Sequence, residues 1–97
     1  MKKSFWLAVY KNIRNTEALK KYAVKATEAI KNNKGTFIVR GGRAICLEGD
    51  ELSPRTVLVE FPSFLDAENC YKSKEYQEAL EILKGAADRQ VQIIEGV

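Results

Sequence analysis

Apolar positions change period along this chain, and the changes mark its elements. Phe5, Leu7 and Val9 alternate with Trp6, Ala8 and Tyr10, an aromatic and aliphatic run that predicts a first strand over 5–10. Leu19, Tyr22, Ala23, Ala26 and Ile30 then recur at three- and four-residue intervals, the stripe of an amphipathic helix. Asn15 or Thr16 is placed to cap it, and Glu17 suits the positive end of its dipole. Asn32-Asn33-Lys34-Gly35 stops it, with Gly35 suited to the left-handed position. Residues 36–39 predict a second strand that runs into Arg40-Gly41-Gly42-Arg43 and resumes over 44–47; paired glycines in a strand predict a bulge or a close approach to the backbone. A turn over 49–54 leads to a third strand over 56–61, which Pro62 ends. Ser63, with Asp66 three residues on, starts a second helix that breaks near Ser73, a second cap. Tyr76, Ala79, Leu80 and Leu83 line its buried side, Gly85 stops it, and residues 90–95 form a fourth strand.

The order β-α-β-β-α-β with two right-handed crossovers predicts an α+β, ferredoxin-like sandwich: a four-stranded antiparallel sheet with both helices on one face. The whole chain, 1–97, makes one such domain. Its sheet is unusual in being apolar on both sides. Val57, Val59 and Phe61 point one way and Leu58 the other, while Phe5, Leu7 and Val9 oppose Trp6, Ala8 and Tyr10. Two helices cover one face only, and an antiparallel sheet with a wet face should alternate cleanly. A second copy of the chain, joined by a two-fold axis through the open face, is the simplest cover.

Composition narrows the chemistry. The chain has no histidine, which removes a histidine base, His metal and haem ligands, and every Ser-His-Asp or Cys-His arrangement. Cys46 and Cys70, without a CxxC, are expected as free thiols in a reducing compartment rather than as a disulfide or metal site. No apolar run is long enough to span a membrane, and Met-Lys-Lys-Ser leads into a strand with no cleavage site, so a cytoplasmic protein is expected. The net charge of +3 hides a split: +9 over residues 1–43 and −6 over 44–97. Since the basic first helix and acidic second helix share one side of the sheet, the split predicts neighbouring, mostly solvated surfaces rather than a nucleic-acid face.

Several segments occur here in a specific order: Phe37-Ile38-Val39-Arg40-Gly41-Gly42, Leu47-Glu48-Gly49-Asp50, Val59-Glu60-Phe61-Pro62-Ser63, Tyr71-Lys72-Ser73-Lys74-Glu75-Tyr76-Gln77, Gly85-Ala86-Ala87 and Glu95-Gly96-Val97. As an ordered set over nearly the whole chain they resemble the family called domain of unknown function 1330. The resemblance implies the dimeric α/β-barrel group, in which two ferredoxin-like sheets pack face to face. It implies a pocket but no reaction. Wider relatives of that group include antibiotic-biosynthesis monooxygenases, haem-degrading enzymes, muconolactone isomerase-like proteins and stress-responsive barrels. The chain departs from the family pattern at Cys70, where an aromatic is common, and at Lys34, where glycine is common. It also has Leu83-Lys84 where many members carry an arginine, so an anion held by that arginine in relatives would here be held less well, or by Lys84.

With histidine absent, arginine, glutamate and tyrosine are the groups left to carry chemistry. Arg40, before two glycines, can fork onto a carboxylate or phosphate. Glu60 is a lone charge in an apolar strand; if buried it needs Arg40 or Arg43 as partner, and desolvation would raise it towards a general base. Arg40 and Glu60 are therefore the candidate catalytic pair, with a structural salt bridge at a dimer interface as the other reading. Tyr22, Tyr76 and Arg89, with Arg40 and Ser63, are the candidate ligand-binding residues; Ser63 also serves as a helix cap, and no histidine exists to make it a nucleophile. The expected function is a homodimeric small-molecule-binding protein, with no cofactor or metal, acting as a cofactor-free isomerase or monooxygenase on a small organic acid or phenol. The alternative is a non-catalytic ligand-binding or regulatory dimer. RNA binding is the third reading, since an RNA-recognition motif shares this element order. It lacks support at the stacking positions, where Thr56 and Leu58 stand instead of aromatics, so no nucleic-acid partner is expected.

Overall fold

The computed structural model describes residues 2–97. The elements are β1 (Ser4–Ile13), α1 (Thr16–Asn32), β2 (Thr36–Arg40), β3 (Thr56–Phe61), α2 (Phe64–Lys72), α3 (Lys74–Leu83) and β4 (Ala87–Glu95). The strands form one sheet in the order β2-β3-β1-β4, with every neighbouring pair antiparallel, so the fold is ferredoxin-like. Local chemistry sets the helix ends. The Asn15 side chain accepts the Ala18 N–H at 3.0 Å, and Ser63 Oγ accepts the Asp66 N–H at 3.1 Å. The break at Ser73 is a hinge between two helices: its hydroxyl donates to the Cys70 carbonyl at 2.7 Å and accepts the Tyr76 N–H at 3.2 Å.

Alternation along β1 divides the sheet. Trp6, Ala8 and Tyr10 are buried under the helices, beside Val59 and Phe61 of β3. Trp6 anchors this core, its ring 5.2 Å from Phe61 and 4.9 Å from Tyr76, and its indole N–H donates to the Ala67 carbonyl at 2.9 Å. Phe5, Leu7 and Val9 lie on the other face, opposite Glu60, Leu58 and Thr56 of β3 and Ile94, Gln92 and Gln90 of β4. No helix covers that face, where Ile94 is 42% exposed.

Three local expectations are corrected. Residues 44–47 do not resume a strand. β2 is an edge strand, Gly41 at φ +63° gives its N–H to the Thr56 carbonyl at 2.9 Å as the last bond to β3, and the chain then loops away with Ile45, Leu47 and Leu52 exposed. Lys34, rather than Gly35, takes the left-handed position at φ 72°. Gly35 is needed for a different reason: a Cβ there would collide with Ile30 Cγ2 and stand 3.0 Å from Val59 Cγ1. β4 starts at Ala87, because the long β1 still offers Ile13 as its partner. Across the charge split, Lys34 reaches Asp66 at 3.4 Å and Asn32 reaches Glu75 at 2.9 Å, both at exposed positions of little energetic weight.

Candidate functional site

Small residues facing one another open a cleft between α1 and the sheet. Ala23 and Ala26 on α1 stand over Ala8 on β1, with Val57 and Val91 beside it; no large side chain fills the gap, which holds about 480 Å³ counted out to its mouth. Most of that space is open mouth; the cavity proper is about 40 Å³, well below the usual size of ligand cavities. Three guanidinium groups (Arg40, Arg55 and Arg89) and three phenols (Tyr10, Tyr22 and Tyr76) line it, together with Thr27; no carboxylate does.

Register places these groups. Tyr10 of β1 lies opposite Arg89 of β4, both on the helix face. Arg89 donates from Nη1 to the hydroxyls of Tyr10 and Tyr22, each at 3.2 Å, and from Nη2 to that of Tyr76 at 3.0 Å. Tyr22 and Tyr76 share a hydrogen bond of 2.6 Å. Burial raises Tyr22 and Tyr76 above the ordinary phenol range, although Arg89 pulls both down, and burial likewise raises Tyr10. Burial opposes the charge of Arg89 too, but the three phenol oxygens around it more than compensate, so it remains a cation. At neutral pH the cluster is one positive charge among three neutral hydroxyls.

A bulge sets Arg40. In β2, Phe37 pairs with Val59 and Val39 pairs with Leu58, leaving Ile38 as a surplus residue. Phe37 and Arg40 are three apart and would face opposite ways in a regular strand. The bulge puts both on the helix face, where the Arg40 guanidinium lies 4.2 Å from the Phe37 ring centroid and donates to Thr27 Oγ1. Arg55 follows the loop. Its carbonyl accepts the Tyr10 N–H at 2.9 Å, extending the β1–β3 ladder by one residue, and Ser53 Oγ donates to that carbonyl and to the Tyr10 carbonyl. The Arg55 Nε is buried and has no acceptor among the described residues.

A family model described as domain of unknown function (DUF1330) matches residues 3–97. The chain belongs to the DUF1330 family. No curated protein matches it. Among solved structures it is similar to a Rhodopseudomonas palustris protein of unknown function, with 17% identity, a TM-score of 0.80 and coverage of 99% of this chain and 83% of that one. It is also similar to a Bacteroides fragilis protein described as dimeric and of ferredoxin-like fold, with 16% identity, a TM-score of 0.60 and coverage of 97% and 96%. A candidate antibiotic biosynthesis monooxygenase from Caulobacter crescentus aligns at 13% identity and a TM-score of 0.68, over 99% of this chain and 91% of that one.

Within this DUF1330 fold the expected site residues divide. Tyr22, Tyr76, Arg89 and Arg40 come together in the cleft. The expected pairing of Glu60 with Arg40 or Arg43 is not formed. Glu60 lies on the open face of β3 beside Lys3, at 3.3 Å, while the bulge has turned Arg40 to the helix face. Ser63 is also outside the cleft, with its hydroxyl given to the Asp66 carboxylate at 3.0 Å. The RNA reading gains no stacking ring from β1 either, since Trp6 and Tyr10 are both buried under the helices. Cys70, where an aromatic is common in the family, is buried, and burial pushes its thiol up to about 12; Cys46 is an exposed free thiol. Lys84 borders a separate, shallow groove between α3 and β4, and Arg89 stands between that groove and the cleft. Arg55 and Tyr10 were missed as site residues from sequence. Tyr10 was within reach, since it alternates in phase with Trp6; Arg55, beside Pro54 at the end of an irregular loop, carries no periodic signal. Among the described residues no helix is long and apolar enough to cross a membrane, and no group of His, Cys, Asp or Glu gathers to hold a metal ion.

Proposed function

We propose that this DUF1330 protein binds a small organic anion in the helix-side cleft of each protomer of a two-fold dimer. One observation carries the reading: among the described residues, three guanidinium groups line a single cavity without any carboxylate, and a buried Arg55 Nε lacks an acceptor. An unpaired buried donor costs about 1–3 kcal/mol, and like charges in one cavity repel, so an anion entering it relieves both. Arg40, Arg55 and Arg89 serve as the anion contacts. Tyr22 and Tyr76 orient Arg89, and the apolar walls take the body of the ligand.

Binding without turnover is the reading best supported. A proton-abstracting mechanism needs a base beside the ligand, yet Glu60 lies across the sheet and burial favours the neutral form of the cleft phenols. The dimer rests on the uncovered apolar face of Phe5, Leu7, Val9 and Leu58, and on the dimeric description of the Bacteroides fragilis neighbour.

Thermal shift with a panel of small carboxylic acids tests the binding. A rise in Tm that depends on ligand concentration is expected, and for the tightest-binding acid Arg40→Gln and Arg55→Gln should weaken it; no shift with any acid at millimolar concentration would remove the reading. Any acid that binds is then followed by chromatography for conversion, which would restore a catalytic role. For the dimer, Leu7→Asp should convert the protein to a monomer in light scattering. A wild-type monomer at micromolar concentration would refute the interface.

A further inference from the structure

The positive charge in the cleft is divided between two ends. Arg55, Tyr10 and Arg89 form one row across β3, β1 and β4: the Tyr10 N–H bonds the Arg55 carbonyl at 2.9 Å on one side, and Tyr10 pairs with Arg89 on the other. With strands about 4.8 Å apart, the two arginine backbones stand roughly 10 Å from each other, with the Tyr10 ring between them. Their side chains diverge. Arg55 leans towards β2, so closely that a Cβ on Gly41 would come within 2.6 Å of its Nη1, and this brings it to the side of the cleft that Arg40 occupies. Arg89 turns the other way, into the phenols of Tyr22 and Tyr76. Ala8, Val57 and Val91 form the floor of the cleft.

Donors remain free at both ends. Arg55 makes no side-chain hydrogen bond among the described residues, and Arg40 uses one of its five N–H groups on Thr27. Arg89 uses three, which leaves its Nε–H and one Nη2 hydrogen. The phenols add to this end. Tyr22 and Tyr76 share a single proton between their oxygens, so one O–H of the pair is still to be given, as is that of Tyr10.

From this we infer that the ligand of the cleft is a short organic dianion: a dicarboxylate with one acid group held by Arg40 and Arg55, the other by Arg89 and the phenols, and a hydrocarbon segment between them. The inference rests on the anion-binding reading and sharpens it. A monocarboxylate satisfies one end and leaves the other cationic and empty. Gly41 adjoins the Arg55 end of the cleft: a Cβ there would make the Arg55 guanidinium shift, and at φ +63° it would also strain the backbone.

Calorimetry with matched pairs tests this: succinate against butyrate, glutarate against valerate, adipate against hexanoate, with sulfate as the inorganic control. At least one diacid should bind ten times or more tighter than its monoacid partner and tighter than sulfate. In Arg55→Gln that ratio should fall towards one while the monoacid, held at the Arg89 end, keeps its affinity. Arg55 stands at the end of a surface loop, so this variant avoids the buried tyrosine cluster; Gly41→Ala, which leaves every charge in place, should lower the ratio in the same direction. Equal binding of diacid and monoacid overturns the dianion while leaving the single-anion reading intact. Tighter binding of sulfate than of every diacid also overturns it. Failure of every anion to bind overturns both.

Discussion

Replacing Tyr76 by Phe removes one oxygen from the centre of the molecule and leaves its volume nearly unchanged. The side chain is fully buried, and its hydroxyl has two partners: the Tyr22 hydroxyl at 2.6 Å and Arg89 Nη2 at 3.0 Å. A neutral pair contributes about 1 kcal/mol net and a bond to a charged group about 1.5–3 kcal/mol. The two are not additive, because Arg89 keeps Tyr10 and Tyr22 and Tyr22 keeps Arg89. Tyr76→Phe should therefore cost about 2 kcal/mol, a large part of a stability of about 5–15 kcal/mol. For a domain of this size that is a fall in Tm of roughly 8–16 °C. Urea unfolding at a fixed protomer concentration measures it, with the concentration held because the proposed dimer would add to apparent stability. Tyr22→Phe and the double variant complete a cycle, whose coupling energy should be about 1 kcal/mol. A loss under about 0.5 kcal/mol for Tyr76→Phe, with no coupling to Tyr22, would show that the phenol cluster does not stabilise the fold and would refute the reasoning.

Other outcomes follow from the same structure. Burial raises Tyr10, Tyr22 and Tyr76 above their unfolded value near 10, so their contribution to stability is complete below pH 10 and is lost as pH climbs towards their folded values; absorbance at 295 nm should show these phenols ionising late and together with unfolding, and three independent titrations at the ordinary phenol pH in a folded protein would contradict this. A thiol reagent should modify Cys46 rapidly and Cys70 only on unfolding, since one is exposed and the other buried with its thiol held protonated; two equally fast thiols in the native state would place Cys70 wrongly. Lys34→Gly should stabilise the protein by about 0.5–1 kcal/mol by relieving a left-handed lysine, its exposed contact with Asp66 adding little; a loss of stability in urea unfolding would show that the ion pair outweighs the strain.

Much of the fold was legible because it depends on short-range signals. The helix stripes, the caps at Ser63 and Ser73 and the strand alternation are local, and the order of elements then restricts the topology. Tyr22 and Tyr76 were readable from helical spacing. Arg89 is among the candidate ligand-binding residues, and its inward direction follows from alternation with Val91 and Ile93. The site failed to be legible where register decides. A bulge between Phe37 and Val39 leaves no mark in the apolar pattern, since all three residues are hydrophobic, and without it Arg40 is assigned to the same face as Glu60. Arg55 enters through a backbone bond to Tyr10, a contact between residues distant in sequence and one that no periodicity encodes.

The surplus residue in β2 makes the inner charge of this protein a matter of counting. Between Phe37 and Arg40 the chain spends two residues where the facing strand, from Val59 to Val57, spends one. Deleting Ile38, itself half exposed, would straighten β2 and still leave Arg40 facing the cleft. Drawing the strand straight at its full length would instead send Arg40 to the open face, towards the proposed second protomer. Whether that arginine serves a ligand or an interface thus depends on the register in which β2 meets β3 and not on the number of residues between Phe37 and Arg40 alone.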